Sequence, residues 1–149
     1  MNATCENAKD FLTGLVADMR LDMTVDASWT EEGCHLDLHG EDAHLARAEN
    51  GEMLDAFEVV LFQIFGRELE REHRFVVDAD GYRQTRRHEL QAMARFAADQ
   101  VRKSGRPFTF GVLNSTERRI IHLTLQKEGD LDTESVGMGR ERRLQVRLK

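Results

Sequence analysis

The stretch TERRIIHLTLQ, residues 116–126, places two arginines and a histidine inside a short run of large aliphatic side chains. At 100° per residue, Arg118, His122, Arg119 and Gln126 share one arc of about 100° on a helical wheel. The aliphatic residues lie mostly on the other side: Ile120, Ile121, Leu123 and Leu125. The stretch therefore predicts an amphipathic helix that buries its aliphatic side chains and presents guanidinium groups beside an imidazole.

Arg118 and His122 are four residues apart, which makes them neighbours on one helix face. Two such groups repel each other when both are charged, and an anion bound between them relieves that repulsion. Phosphate suits the pair because a guanidinium can contact it in a bidentate way. His122 could instead stack on a base or hydrogen-bond a sugar. The structural alternative is a hydrogen-bonded core histidine flanked by arginines that only face solvent.

The residues around this helix predict a small α/β unit. A long helix begins after Gly81 and ends before Gly105, with its core stripe at Leu90, Met93, Ala94, Ala97 and Val101. A short strand follows at 107–113, and Asn114 with Glu117 resembles a capping box at the start of the next helix. Two closing strands are expected at 134–137 and 143–148.

The first half predicts the order α-β-β-α-α-β, and the fold class is therefore α+β. The expected elements are a helix at 8–19, a hairpin of strands at 23–29 and 34–40, helices at 41–47 and 51–65, and a strand at 74–79. The helix at 51–65 is apolar on two adjoining faces. Such a helix is either packed in the core or presents one face to another protein chain.

Charge divides the chain into two parts. Residues 1–80 hold 6 Lys and Arg against 19 Asp and Glu, a net charge of −13, whereas residues 81–149 hold 15 against 8, a net charge of +7. We place a domain boundary at this change of sign, between domains at 1–80 and 81–149. A basic domain is typical of a protein with a polyanion partner. Mutual neutralisation of the two halves is the alternative.

Several function classes find no support in the residues. No apolar run approaches a membrane span, and the first residues lack a signal peptide, so we expect a cytoplasmic protein. Cys5 and Cys34 are interpreted as ordinary reduced side chains. A metal site at Cys34, His35, His39 and His44 is disfavoured because strand alternation turns Cys34 away from its neighbours. We expect no cofactor, no metal and no enzymatic activity.

The pattern Arg118-x-x-x-His122 resembles the signature of the R-three-H domain, a module that binds single-stranded nucleic acid. The segments VVDADGYRQTRRHELQAMA, STERRIIHLTLQKEGDLDTESVG and GEMLDAFEVVLFQI are similar to the bridge helix, the C-terminal stretch and the KH helix of the Jag family. The resemblance covers roughly residues 20–148. It implies a type II KH-like domain followed by an R-three-H domain, and a bacterial protein that binds single-stranded RNA or DNA. We expect the family's separate N-terminal Jag domain to be absent, since the resemblance leaves no room for it.

The resemblance assigns roles to individual residues. Arg118 is the expected phosphate contact, His122 contacts sugar, base or phosphate, and Arg119 supports both electrostatically. Arg143 and Arg87 are candidates for extending this basic track. Phe108 and Phe110 could stack on bases, although core packing is the better interpretation for at least one of them.

The KH-like half departs from the family's pattern. The glycine-rich clamp G-x-x-G is represented by Ala48-Glu49-Asn50-Gly51, and Glu49 repels phosphate. Only Arg47 nearby favours an anion. We therefore expect a weakened KH site, with RNA binding mainly through the second module. The alternative is a scaffold that forms a KH-mediated homodimer or heterodimer and no longer binds RNA.

Overall fold

The computed structural model describes residues 2–149. The chain forms two compact units, one extending to Arg83 and the other running from Gln84 to Lys149. The long helix α3 (Tyr82–Ser104) begins in the first unit and continues in the second. Each unit contains helices and a three-stranded sheet, so the predicted α+β class is confirmed.

The first unit has the predicted order α-β-β-α-α-β. Its elements are α1 (Ala3–Asp18), β1 (Thr24–Thr30), β2 (Gly33–His39), α2 (Ala43–Phe65) and β3 (Arg74–Ala79), and a loop inside α2 separates its two helical parts. The strands lie in the order β1-β2-β3, with β1 antiparallel and β3 parallel to β2. This topology is that of a KH-like domain of type II, in agreement with the sequence.

The core of the first unit lies on one face of this sheet. In β2, the inward residues Leu36 and Leu38 are fully buried, whereas His35 and Asp37 face outward and are half-buried. Leu12 of α1 and Leu61 of α2 pack in the same core. The period-two alternation predicted for this strand is therefore what places it against the helices.

Cys5 and Cys34 form a disulfide, so their interpretation as ordinary reduced side chains is wrong. Both side chains are fully buried, and their Cα atoms lie 5.4 Å apart. Cys34 points inward with Leu36 and Leu38, and α1 packs on that face with Cys5 in its first turn. The bond joins α1 to β2 across 29 residues of sequence.

A loop of four residues, Ala48, Glu49, Asn50 and Gly51, interrupts α2 at the position where the family resemblance places a glycine-rich clamp. Ala48 is extended, with φ −64° and ψ 162°, and any residue adopts that conformation. Glu49, Asn50 and Gly51 then have φ values of 54°, 56° and 77°. A Cβ atom at position 51 would lie 2.8 Å from the ring of Tyr82, so this glycine is required for both backbone and packing reasons.

After this loop, α2 is buried on one face only. Leu54, Phe57 and Leu61 are buried in the core. Val60 and Ile64, which follow Phe57 at helical spacing, are 37% and 50% exposed. Core packing therefore explains one of the two apolar faces of the predicted helix and leaves the other uncovered in the described chain.

The free edge of β3 is closed by two charged side chains. Glu58 of α2 accepts a hydrogen bond from the Val77 N–H at 2.8 Å, and the Arg83 Nε donates to the Val77 carbonyl at 2.8 Å. Arg83 also contacts Glu58 at 2.8 Å and Asp55 at 3.0 Å. Burial raises the pKa of Glu58, and the neighbouring Arg83 partly opposes that rise. The edge strand thus has no free backbone pair at Val77 for another strand.

The second unit is the small α/β fold expected after the long helix. It contains β4 (Phe108–Thr109), α4 (Ser115–Leu125), β5 (Leu131–Val136) and β6 (Arg143–Leu148), besides most of α3. Its antiparallel sheet has the order β4-β6-β5. Leu90, Ala94, Ala97 and Val101 of α3 are fully buried, as the predicted stripe requires, and Met93 packs at the edge of this core.

No helix among residues 2–149 is both long and apolar enough to cross a membrane.

Candidate nucleic-acid interface

Helix α4 begins at a capping box, as the sequence predicts. The Asn114 side chain accepts from the Glu117 N–H at 2.8 Å, and Glu117 accepts from the Asn114 N–H at 3.2 Å. The second carboxylate oxygen of Glu117 accepts from the Arg86 Nε of α3 at 2.7 Å. Glu117 is buried, so this charge-assisted contact fixes the start of α4 against α3.

The buried side of α4 contains Ile121 and Leu125, with Ile120 partly buried. Leu123 is exposed, so the expectation that the helix buries all its aliphatic residues is wrong for this position. The wheel places Leu123 about 40° from Arg119, at the margin of the polar arc, and the core does not extend that far.

The polar arc of α4 and one side of β5 enclose a cavity of about 400 Å³, here called the α4–β5 cavity. Its lining contains three arginines, one histidine and three hydroxyl side chains. The lining residues are Ser115, Arg118, Arg119, His122, Thr133, Ser135, Arg142 and Leu144. The predicted Arg118, Arg119 and His122 therefore share one site, whereas Gln126 is the C-cap residue and lies outside it.

Arg118 is held by backbone carbonyl groups. Its Nη1 donates to the carbonyl of Leu113 at 2.7 Å and to that of Arg142 at 3.3 Å. The first contact fixes the residue before the cap of α4, and the second fixes the segment before β6. Arg118 thus supplies positive charge to the cavity while it organises two segments of its wall.

His122 is oriented by the neighbouring strand. Its Nδ1 forms a hydrogen bond with the hydroxyl of Thr133 on β5. Thr133 pairs with Val146, which is fully buried, so Thr133 lies on the same sheet face as the core and meets α4 at its margin. His122 is exposed, and it is therefore not the enclosed core histidine of the structural alternative.

An ion-pair cluster fixes the turn that leads into β5. Arg102 of α3 donates to Asp130 at 2.9 and 2.8 Å and to Glu128 at 2.9 Å. These hydrogen bonds lower the pKa of Asp130. The cluster positions the strand that carries the cavity residue Thr133.

The other predicted site residues lie outside the cavity. Arg143 of β6 pairs with Val136 of β5 and directly precedes the buried Leu144. Because side chains alternate along a strand, the Arg143 side chain points to the sheet face opposite that of Leu144. Arg87 is exposed on α3. Arg47 belongs to the first unit, where it contacts Asp80 at 3.5 Å.

Sequence reasoning missed Ser115, Thr133, Ser135 and Arg142 as cavity residues. The predicted strand began at position 134, so Thr133 fell outside it, whereas β5 begins at Leu131. The alternation of Leu144 and Val146 was the available signal for Arg142. Because this alternation turns Arg143 away from the core face, it directs attention to the residue before it. Arg142 lies just before the strand, and its carbonyl accepts a hydrogen bond from Arg118.

A second cavity of about 400 Å³ lies elsewhere in the second unit and is apolar. It is lined by Ala92, Met93, Phe96, Phe108 and Phe110. Phe110 is buried and belongs to the core, as the sequence favoured for one of the two phenylalanines. Phe108 is partly buried and contacts the exposed Phe96 edge to face, with ring centroids 6.1 Å apart.

Among the residues that the structure describes, Cys34, His35, His39 and His44 are not a group with the ligand spacing of a metal site. Cys34 is held in the disulfide, and the His44 Nδ1 is hydrogen-bonded to the Glu41 carbonyl at 2.8 Å. Within residues 2–149, the one group with suitable ligand spacing is Glu70, Glu72 and His73, which lies at the surface.

Comparison with known proteins agrees with this geometry. The family model of the R-three-H domain matches residues 88–148. Most of the second unit is thus similar to the R-three-H domain. The chain is also 27% identical over 132 residues to RNA-binding protein KhpB of Clostridium symbiosum, and 32% identical over 130 residues to RNA-binding protein KhpB of Bacillus subtilis.

These alignments cover 89% and 86% of this chain and 60% and 62% of the two relatives. The chain thus spans about three fifths of the length of the KhpB proteins it matches. This chain is therefore similar to the KhpB proteins over most of its own length. Every residue that lines the α4–β5 cavity falls within the segment matched by the R-three-H model.

Proposed function

We propose that this protein binds single-stranded RNA in the bacterial cytoplasm, mainly through the α4–β5 cavity of its R-three-H domain. The observation that carries the proposal is the convergence of Arg118, Arg119 and Arg142 with His122 in one cavity. Its volume of about 400 Å³ lies within the range of small-ligand sites, which suits one nucleotide unit of a longer strand. The two KhpB relatives are named RNA-binding proteins, which supports the same function.

The three guanidinium groups have different tasks in this proposal. Arg119 and Arg142 are exposed and supply the direct phosphate contacts. Arg118 already donates to two backbone carbonyls, so its main contributions are charge and the shape of the cavity. Repulsion among three nearby cations is relieved when a phosphate binds, which favours the bound state.

The loop in α2 supports a secondary role for the first unit. Glu49 and Asn50 are exposed at the tip, and Glu49 is a negative charge where a phosphate would approach. The nearby Arg47 contacts Asp80 at 3.5 Å. Because Arg47 is paired with Asp80 and Glu49 is acidic, this loop offers little attraction to a phosphate. We therefore expect most of the binding free energy to come from the R-three-H domain.

The test is a fluorescence anisotropy titration with a labelled, mixed-sequence single-stranded RNA. We expect Arg119→Ala with Arg142→Ala to weaken binding about a hundredfold, since each removes a hydrogen bond to a charged group worth about 1.5 kcal/mol or more. The matched control is Arg95→Ala with Arg106→Ala, which removes the same charge from the same unit outside the cavity. Equal losses in both double variants would assign the binding to non-specific charge and overturn the site.

The exposed face of α2 supports a second function, which we propose as pairing with a second copy of the chain. Val59, Val60, Phe62 and Ile64 are 57%, 37%, 62% and 50% exposed, respectively. An apolar face of this kind is complementary to itself, as a twofold-symmetric interface requires. Clustered exposed apolar residues mark interaction sites more often than isolated ones do.

Sedimentation velocity over a series of protein concentrations tests this pairing. We expect a dimer for the wild type and a monomer for Phe62→Asp, because burying an unpaired carboxylate opposes association. Leu45→Asp, at an exposed residue of α2 outside the quartet, serves as the control. A wild-type monomer at all concentrations would leave a heterologous partner as the remaining use of this face and would contradict self-pairing.

A further inference from the structure

The α4–β5 cavity contains more hydrogen-bonding chemistry than a phosphate needs. Guanidinium groups alone satisfy the oxygens of a phosphodiester. Opposite them, β5 presents Thr133 and Ser135, two side chains that both donate and accept hydrogen bonds. The protein hydrogen bonds of the described residues include none to the Ser135 hydroxyl, which leaves that group available to a ligand. The hydroxyl-lined wall therefore suits a group that also both donates and accepts.

The orientation of His122 adds a third group of this kind. Because its Nδ1 bonds to Thr133, the ring is held with Nε2 as the nitrogen left for a ligand. A threonine hydroxyl can either accept from or donate to Nδ1, so it stabilises either neutral tautomer of the ring. Nε2 can accordingly serve as donor or as acceptor. A ribose 2′-hydroxyl satisfies both arrangements, whereas deoxyribose satisfies neither.

We infer that the α4–β5 cavity takes a ribose-phosphate unit and distinguishes RNA from DNA. The phosphate lies against Arg119 and Arg142, and the 2′-hydroxyl bonds to the Nε2 of His122 and the hydroxyl of Ser135. Thr133 is a positioning residue, since it acts by orienting His122. This inference rests on the proposed RNA binding and adds the sugar selectivity of the same site.

The experiment compares three labelled oligomers of one length and base: oligouridine, oligodeoxyuridine and 2′-O-methyl oligouridine. We expect the wild type to bind oligouridine about three- to tenfold more tightly than the other two, the effect of one or two neutral hydrogen bonds. Ser135→Ala and Thr133→Val should each reduce this preference toward one, because each should weaken the binding of oligouridine more than that of oligodeoxyuridine. Thr133→Ser retains the hydroxyl and should keep the preference.

The double variant Arg119→Ala with Arg142→Ala provides the contrast, because it should weaken RNA and DNA equally and leave their ratio unchanged. Thermal unfolding midpoints of all variants show whether the fold is intact, and Ser135→Ala tests the loss of preference if Thr133→Val does not fold. Equal wild-type affinity for oligouridine and oligodeoxyuridine would overturn the sugar selectivity alone. Absence of binding to every oligomer would overturn the proposed function itself.

Discussion

At the scale of single residues, Arg118 shows how a sequence signature can have two roles. The resemblance of its motif predicts that Arg118 contacts phosphate, and its Nη1 donates to the carbonyls of Leu113 and Arg142. Its neighbour Arg119 is exposed, and the described residues offer its side chain no hydrogen-bond partner. The two arginines are therefore expected to differ in their effects on stability.

We expect Arg118→Ala to lower the free energy of unfolding by about 1 to 3 kcal/mol, because the carbonyl of Leu113, in a partly buried hydrogen bond, and the carbonyl of Arg142, in an exposed one, lose their donor. Arg119→Ala should change it by less than about 0.5 kcal/mol, as is usual for exposed side chains. Urea unfolding followed by circular dichroism measures both. If the two variants are equally stable, the carbonyl contacts of Arg118 contribute nothing to the fold.

The sequence identified part of this cavity for a specific reason. Arg118, Arg119 and His122 lie on one helix, and helical geometry alone brings them together. Thr133, Ser135 and Arg142 come from a separate strand and loop, and only the packing of α4 on β5 places them beside the helix. Strand register could not be read without knowing where β5 begins, and a shift by one residue reverses every side chain.

At the scale of elements, the disulfide between Cys5 and Cys34 joins α1 to the central strand of its sheet. The closed loop of about 30 residues corresponds to a stabilisation of about 3 to 4 kcal/mol in the chain-entropy model. We expect Cys5→Ala with Cys34→Ala to lose stability of that order, and reduction of the wild type with dithiothreitol to do the same. The loss is measured by urea unfolding.

The Cys5→Ala, Cys34→Ala variant should bind single-stranded RNA with an affinity within about twofold of that of the wild type. The reason is that the α4–β5 cavity belongs to the other unit. Addition of dithiothreitol should not change the stability of the double alanine variant further. A wild-type protein that is indifferent to reduction would contradict the stabilising role of this bond.

Glu58, at the edge of β3, makes the free energy of unfolding depend on pH in a direction that can be stated. Its pKa in the folded protein is raised above the ordinary value of 4.5 by burial, although Arg83 opposes the rise. The folded state thus binds the proton more tightly, so the contribution of this group is fully present below about pH 4.5 and is lost as the pH rises through the raised value.

We expect Glu58→Gln to gain stability relative to the wild type as the pH increases from 4 toward 7. The amide keeps an oxygen acceptor for the Val77 N–H and carries no charge to desolvate. Thermal unfolding at several pH values measures the difference, with Glu31→Gln in an exposed turn as the control. A difference that shrinks with increasing pH would mean that attraction to Arg83 outweighs burial.

Most elements were predictable because their signals are local. The strands at Arg74–Ala79 and Arg143–Leu148 and the helix Tyr82–Ser104 have the predicted limits, since glycines, charge and periodicity mark their ends. The disulfide and the uncovered face of α2 were not predictable. Both depend on which elements pack together, and helix periodicity cannot say which of two apolar faces meets the sheet.

At the scale of the whole molecule, the chain combines an acidic half and a basic half, with net charges of −13 and +7. The acidic half contains the loop at Ala48, Glu49, Asn50 and Gly51, and the basic half contains the segment that matches the R-three-H family model. The domain limits at residue 80 and the role of each half remain predictions. The central proposal is that RNA binds in the α4–β5 cavity and not at the α2 loop.

The most direct test of that claim is a ¹⁵N–¹H correlation spectrum of the full chain, titrated with oligouridine. The account predicts that the largest shift changes fall on residues lining the α4–β5 cavity, among them Ser115, Arg119, His122, Thr133 and Ser135. The loop formed by Ala48, Glu49, Asn50 and Gly51 should change little. Changes concentrated in that loop, with the cavity residues unaffected, would contradict the account.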